Sequence, residues 1–272
     1  MVELDEWRLL GVDVYDGYMN MAIDEALMRL RSEGRCPNTV RLYRWKPPAV
    51  SIGYSQRAEK AANLEACKQL GIDVVRRMTG GGAVYHDYRW EITYSVVVDE
   101  DNPKIPKDLL QSYMVLSRGI VEGLRRLGLD AKMEPSLPLC SVLKPGKYGP
   151  LVDIVVNGRK ICGSAQVRRW GVVLQHGTLL IDADFDLMFK ALGIEDRAEE
   201  MRDKITTISG ELGRKVDFNE VADALARGFE EALEVRLNRG WIGSEEMELA
   251  SQLLREKYGQ EWWNLQGAKR EK

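Results

Sequence analysis

Apolar residues fall into two periods along the chain. Ile23, Leu27 and Leu30 recur at helical spacing and Gly34 follows as a stop, which predicts a helix from about Asn20 to Arg31. Leu110, Met114, Ile120, Leu124 and Leu127 draw a second stripe over about Lys107–Leu127, ended by Gly128. Between these lie β-rich runs. Val40–Trp45 and Ala49–Gly53 are separated by Pro47-Pro48. A helix near Glu59–Leu70 leads to a strand at Ile72–Arg76, and Glu91–Val98 (EITYSVVV) is another. Asp153–Val156, then Asn157-Gly158, then Arg159 onward predicts a hairpin with a type I′ turn. Val172–Ile181 is a further strand, whereas Pro135–Pro150 is proline-rich and aperiodic and reads as a long loop. After about Glu195 the pattern is mainly helical, with stripes Val221/Leu225/Phe229 and Met247/Leu254/Tyr258 and Ser244 as an N-cap. The fold class is α/β, with a soft boundary near residue 190. Residues 1–190 are expected to form the domain core and 191–272 a mainly helical segment completing the same domain.

Composition narrows the function classes. The chain has 272 residues, with 39 Lys+Arg against 42 Asp+Glu, a net charge of −3. That near-neutral balance argues against broad nucleic-acid binding. No run of 18 apolar residues predicts a membrane span, and MVELDEWRLL lacks the basic start and apolar run of a secretory signal. Cys36, Cys67, Cys140 and Cys162 are scattered and form no CxxC pair, which fits a reducing, cytoplasmic setting rather than a zinc site.

Three segments hold the candidate chemistry. The first is Arg76-Arg77-Met78-Thr79-Gly80-Gly81-Gly82-Ala83-Val84-Tyr85-His86-Asp87. Three glycines after a strand let backbone approach a ligand, successive N–H groups can cradle an anion, and two arginines bring fixed charge. It is neither a Walker A loop nor GxGxxG, and a flexible turn with solvated arginines is the plain alternative. The second is Asp153-Ile154-Val155-Val156-Asn157-Gly158-Arg159-Lys160-Ile161-Cys162-Gly163-Ser164-Ala165-Gln166. Period-2 alternation puts Lys160, Cys162, Ser164 and Gln166 on one face and Ile161, Gly163 and Ala165 on the other. A lysine among small residues can set a compact charge on an acyl carboxylate or phosphate; an exposed strand lysine is the bland reading. The third, Leu174-Gln175-His176-Gly177-Thr178, carries a histidine inside an apolar strand, which alone reads as a satisfied core residue. Cys140 sits in the proline-rich loop, where a thiolate acyl acceptor would need a nearby cation to depress its pKa.

RRMTGGGAVYHD, NGRKICGSAQ and VVLQHGTLL, in that order, resemble the biotin/lipoate A/B protein ligase family. Its lipoate–protein ligase branch is closest, with the octanoyltransferase branch as neighbour. The likeness runs from MNMAIDEALMRL to KYGQEWWN. It implies a class II synthetase-like α/β domain whose mixed sheet, flanked by helices, holds an acyl pocket. It implies ATP- and Mg²⁺-dependent activation of lipoate or octanoate to acyl-AMP, then transfer to a lysine of a lipoyl carrier domain. The carriers would be 2-oxoacid dehydrogenase E2 subunits or the glycine-cleavage H protein, with no nucleic acid or membrane partner. Carried over, Arg76, Arg77, Thr79, Gly80, Gly81, Gly82, Ala83, Val84, Tyr85, His86 and Asp87 hold the adenylate and acyl tail. Lys160 contacts the acyl carbonyl and α-phosphate, Asp153 sits near the Mg²⁺ or adenylate, and Gly163, Ser164, Ala165 and His176 line the site.

The larger accessory domain of some ligases has no counterpart in this sequence, so a separate small accessory subunit is a further expected partner. Lipoate–protein ligase is thus the first reading. The alternatives are an ATP-independent octanoyl-carrier-protein transferase with Cys140 as thioester nucleophile, and a non-catalytic acyl- or nucleotide-binding module.

Overall fold

The computed structural model describes residues 4–135 and 152–267. In chain order its elements are β1 (Asp5–Tyr15), α1 (Gly17–Ser32), β2 (Thr39–Trp45), β3 (Ala49–Ile52), α2 (Ala58–Ala61), α3 (Leu64–Leu70), β4 (Asp73–Arg76), β5 (Val84–His86) and β6 (Glu91–Asp99). There follow α4 (Leu109–Arg126), β7 (Ala131–Pro135), β8 (Val152–Val156), β9 (Arg159–Arg169), β10 (Val172–Leu180), α5 (Phe185–Leu192), α6 (Ala198–Lys204), α7 (Ile208–Leu212), α8 (Phe218–Leu233), β11 (Val235–Gly240), α9 (Ser244–Leu253) and α10 (Glu261–Asn264). Helix starts are fixed by side chains. Asp16 caps α1 by accepting from the Met19 amide at 2.7 Å, and Asp108 caps α4 from the Gln111 amide at 2.8 Å.

Eight strands form one mixed sheet in the order β11-β1-β2-β6-β10-β9-β8-β7, and β4-β3-β5 form a second, smaller sheet. β1 pairs parallel with both β11 and β2, while β2, β6, β10, β9, β8 and β7 pair antiparallel in succession. This is the mixed sheet flanked by helices that the family resemblance implied. Alternation then sorts the side chains. Leu42, Tyr94, Val96 and Val173 face α4 and α8, where Ile120, Leu124, Leu225 and Phe229 complete the largest core. Tyr43, Trp45, Val97 and Leu174 face the other way, toward Ile23 and Leu27 of α1 and Ala250 and Leu253 of α9. A third cluster, including Val50, Ile52, Cys67, Phe189 and Met201, seats the small sheet on α2, α3, α5 and α6. Each fully buried Leu, Val or Phe contributes about 1.5–3 kcal/mol, so these three clusters fix how the two sheets face one another.

Several elements differ from the sequence expectation. The run Glu59–Leu70 is two helices, because Asn63 leaves the first and caps the second, accepting from the Ala66 amide at 3.0 Å. β1 was not expected, nor was β7, whose last residue is Pro135; the rest of the predicted Pro135–Pro150 loop, and Cys140 with it, lies outside the described residues. The C-terminal segment is not helical throughout: β11 leaves it to pair with β1 at the sheet edge, where its polar sequence VRLNRG hid the strand. α9 starts one residue earlier than expected, with Gly243 as N-cap, and the Glu246 carboxylate accepts from the Gly243 amide at 2.6 Å. The Asn157-Gly158 turn has φ of 50° and 72°, both positive, as a type I′ turn requires. Among the described residues no helix is long and apolar enough to cross a membrane.

Candidate active site

A cavity of about 160 Å³ opens between the two sheets. Its floor is a row of directly paired positions crossing four strands: Gly163 on β9, Thr178 on β10, Thr93 on β6 and Tyr43 on β2. The next row on the same face is Ala165, His176, Ser95 and Arg41. The triglycine segment and β5 roof it.

Lys160 reaches this face through a break in strand periodicity. Ile154 pairs with Cys162 but the next residue, Val155, pairs with Lys160, so Ile161 is an extra residue in β9. Ile161 and Cys162 are consecutive, yet both enter the same core cluster. The bulge turns Lys160 over to the Gly163 and Ala165 side, away from the face that strict alternation shared among Lys160, Cys162, Ser164 and Gln166. The Thr206 amide donates to the Lys160 carbonyl at 2.8 Å and holds the strand beyond the end of β10. Lys160 lies across Gly163: a Cβ there would meet Cε and Nζ at 2.9 Å, so only glycine leaves the space. Nζ pairs with Asp153 Oδ1 at 2.8 Å, with the lysine side chain 29% exposed and the aspartate 5%. Asp153 Oδ2 is buried with no hydrogen-bond partner among the described residues.

The triglycine segment sits over the neighbouring position. Gly81 has φ of 93°, a conformation that disfavours side chains, and its Cβ site lies 3.8 Å from the Ala165 methyl and 2.9 Å from Arg77 Nη2. Ala165 and Gly163 are two residues apart on one strand face, about 7 Å. The space between them is bounded by the Lys160 side chain on one side and the loop backbone on the other. Among the described residues, no backbone or side-chain acceptor takes the N–H groups of Gly80, Gly81, Gly82 or Ala83.

Both arginines turn inward, where the sequence reading expected charge aimed at an anion. Arg77 donates to the Ser51 carbonyl at 2.9 Å and hydroxyl at 3.2 Å, to the Gly80 and Gly82 carbonyls at 2.7 and 2.6 Å, and to Thr79 Oγ1 at 3.1 Å. Its donors shape the loop, and burial pulls its pKa down to about 10. Arg76 binds the carbonyls of Gly53, Tyr54, Gln56, Trp263 and Asn264, tying the C-terminal α10 to the start of the loop.

The two histidines anchor two polar networks beneath the cavity. His86 stacks on Trp45 at 3.9 Å and shares a hydrogen bond of 2.8 Å with Ser51 Oγ. Burial first, then the charges of Arg77 and His176, hold its pKa well below the usual range, so it is neutral. Glu91, 3.6 Å from His86 Nδ1, is pushed well above the carboxylate range by burial. His176 Nδ1 meets Asp24 Oδ2 at 3.1 Å and Nε2 meets Thr79 Oγ1 at 2.7 Å. Burial raises the Asp24 pKa, but the His176 hydrogen bond and the Arg41 charge outweigh it and keep the carboxylate ionised.

Of the expected site residues, Arg77, Gly81, Gly82, Ala83, Val84, His86, Asp153, Lys160, Gly163, Ser164, Ala165 and His176 line the cavity. Ser164 also turns its hydroxyl to Tyr94, at 2.7 Å. Arg76, Thr79, Gly80, Tyr85 and Asp87 do not line it; Tyr85 donates to Asp87 at 3.1 Å, and Arg89 pairs with the same carboxylate. Tyr43, Trp45, Thr93 and Thr178 were missed because their polar and aromatic atoms look like ordinary strand alternation. Asp24 carried a signal: a carboxylate inside the apolar face of MNMAIDEAL. Among the described residues no cluster of three His, Cys, Asp or Glu side chains could hold a metal.

The lipoyl protein ligase A/B catalytic domain model matches residues 16–230. The chain belongs to this family. Octanoyltransferase LipM of Brevibacillus brevis is 39% identical over 96% of this chain and 99% of its own. A lipoate–protein ligase A solved with ATP bound superposes with a TM-score of 0.81 at 33% identity, covering 96% of this chain and 98% of that one. A chain from the bi-partite lipoate protein ligase of Thermoplasma acidophilum, solved in a study with its E2 lipoyl domain, gives 0.82 at 32% identity over 98% and 99%. The family is one of acyl-transferring enzymes of protein lipoylation.

Proposed function

We propose that this enzyme is an octanoyltransferase: it takes an octanoyl group from an acyl-carrier thioester and passes it to a lysine of a lipoyl carrier domain, through a thioester on Cys140. The observation that carries the reading is that, among the described residues, Lys160 is the one accessible ammonium lining the cavity, set there by its bulge, while the other lining cation, Arg77, is committed to the loop backbone. One ammonium suits a neutral acyl carbonyl, whose developing negative charge it stabilises. Relatives named octanoyltransferase, 35–41% identical over at least 95% of the chain, support this branch. The other thiols are unsuited. Cys36 and Cys67 are buried with pKa values pushed up to about 11, and Cys162 to about 12, each chiefly by desolvation. That leaves Cys140, which lies in sequence before the NGRK hairpin. The Lys160 charge also disfavours the ammonium form of the incoming carrier lysine, promoting the neutral nucleophile. Carrier domains of the E2 and H-protein type are the proposed acceptors, and the buried free thiols fit a cytoplasmic setting.

The ligase reading keeps one favouring observation, the likeness to the ATP-bound ligase. In it, the free loop amides and the unpartnered Asp153 oxygen would hold phosphate and Mg²⁺, which supply carboxylate activation. An assay separates the two. The protein is mixed with a lipoyl domain and either octanoyl-acyl carrier protein, or octanoate or lipoate with ATP and Mg²⁺, and the carrier mass is read. The transferase reading expects ATP-independent modification from the thioester, lost in Cys140→Ser. Modification only with ATP, or full activity in Cys140→Ser, would overturn it.

A further inference from the structure

The triglycine loop, whose Gly81 and Gly82 line the cavity, is held by a chain of hydrogen bonds that begins on another element. Asp24, on α1, accepts from Arg41 Nη1 at 2.9 Å, Tyr43 OH at 3.0 Å, Ser95 Oγ at 3.0 Å and His176 Nδ1 at 3.1 Å. Because the carboxylate is ionised, Nδ1 carries the proton facing it, and Nε2 shares a hydrogen bond of 2.7 Å with Thr79 Oγ1. Thr79 Oγ1 in turn accepts from Arg77 Nε at 3.1 Å, and Arg77 Nη2 grips the carbonyls of Gly80 and Gly82. The carbonyls of Gly80 and Gly82 point to Arg77, so the N–H groups of the same peptide units, on Gly81 and Ala83, point away from it, in residues that line the cavity.

We propose that Asp24, His176 and Thr79 are positioning residues, a relay that orients the amides of the triglycine loop as an oxyanion site for the acyl carbonyl opposite Lys160. The inference rests on the acyl-transfer reading above. In the final step the neutral amine of the carrier lysine attacks the thioester carbonyl carbon. A C–N bond forms, and the π pair moves to oxygen, where the loop amides donate to it. The oxyanion then collapses, the C–S bond breaks, and sulfur leaves as thiolate and takes up the proton that nitrogen loses. The products are amide and thiol. The amides act mainly on the charged intermediate, so loosening the loop lowers kcat more than it raises KM.

Thr79→Val removes the hydroxyl at nearly constant volume, and Thr79→Ser keeps it. With octanoyl-acyl carrier protein and a lipoyl domain, Thr79→Val is expected to lose about 10²-fold in kcat with KM for the thioester within about threefold, and Thr79→Ser to recover to within about threefold of wild type. His176→Gln is expected to fall with Thr79→Val, and the double variant to be no worse than either alone. A KM rise with unchanged kcat, wild-type rates in Thr79→Val, or failure of Thr79→Ser to rescue would overturn the relay. ¹⁵N relaxation of Gly80–Gly82 gives a readout free of turnover: order parameters should drop in Thr79→Val and return in Thr79→Ser, and unchanged values would refute the proposal. A wild type that works only with ATP and free octanoate sinks the transferase reading alone, because the same Val/Ser comparison then reads the relay in that assay.

Discussion

Gly163→Ala is a small change with a calculable consequence. The added methyl would sit 2.9 Å from both Cε and Nζ of Lys160, and the next atom, Asp153 Oδ1, is 3.8 Å away. Carbon contacts settle at about 3.5–4.0 Å, so the lysine tip must retreat by roughly 0.6–1 Å and leave its 2.8 Å pairing with Asp153. A misplacement of about 1 Å at the reacting centre costs around 10²-fold, or about 2.7 kcal/mol of barrier. Stability should fall as well, because the Asp153 carboxylate, only 5% exposed, loses its Nζ partner; Gly163 has no positive φ, and the gain of Ala over Gly in a strand interior, about 0.5–1 kcal/mol, offsets only part of that loss. The variant is therefore expected to fold but melt below the wild-type temperature, and to transfer octanoyl groups about 100-fold more slowly, with both charges still present. Initial rates by mass spectrometry of the lipoyl domain, beside calorimetry, check this. A Gly163→Ala enzyme with a rate within threefold of wild type would show that the seat of Lys160 over Gly163 does not govern the chemistry.

Other outcomes follow from the buried groups. Asp24→Asn strands Arg41 beside a neutral partner and should cost about 3–5 kcal/mol at pH 7 in urea unfolding; the Asp24 contribution to wild-type stability should fade only as pH falls below 3.8 through its lower folded value. Burial raises the Glu91 pKa well above the 4.5 of a free glutamate, so folding holds an extra proton as pH rises above 4.5 and wild type loses stability there. Glu91→Gln should gain on wild type by up to about 1.4 kcal/mol per pH unit above 4.5, and parallel stability curves would contradict the assignment. Cys36, Cys67 and Cys162 should resist iodoacetamide in the native protein at pH 7.5 and react only on unfolding; rapid native labelling of Cys162 would count against its raised pKa.

The chemistry was legible in the sequence where it depends on residue type and short spacing. Three glycines after a strand, the Asn157-Gly158 hairpin and a lysine among small residues are local patterns, and their long joint signature pointed to the family. The stripes of α1, α4 and α8 were equally plain, because helical period and burial coincide there. β1 and β11 were missed, since a strand of mixed polarity carries no clean period, whether it lies inside the sheet as β1 does or at its edge as β11 does.

Tertiary structure decided which way each functional group points. The extra residue at Ile161 reversed the face of Lys160, and alternation read from sequence cannot detect a bulge that only strand pairing defines. It also decided what the arginines do. Arg76 meets Trp263 from 187 positions away, and His176 meets Asp24 from 152, so their partners come from chain folding rather than from neighbouring residues. Sequence by itself supplied the reactive groups and the elements that carry them, because those follow from local conformational preference. Their charges, orientations and free hydrogen-bonding atoms were set by burial against distant parts of the chain, because desolvation and long-range pairing exist only once the sheets have packed.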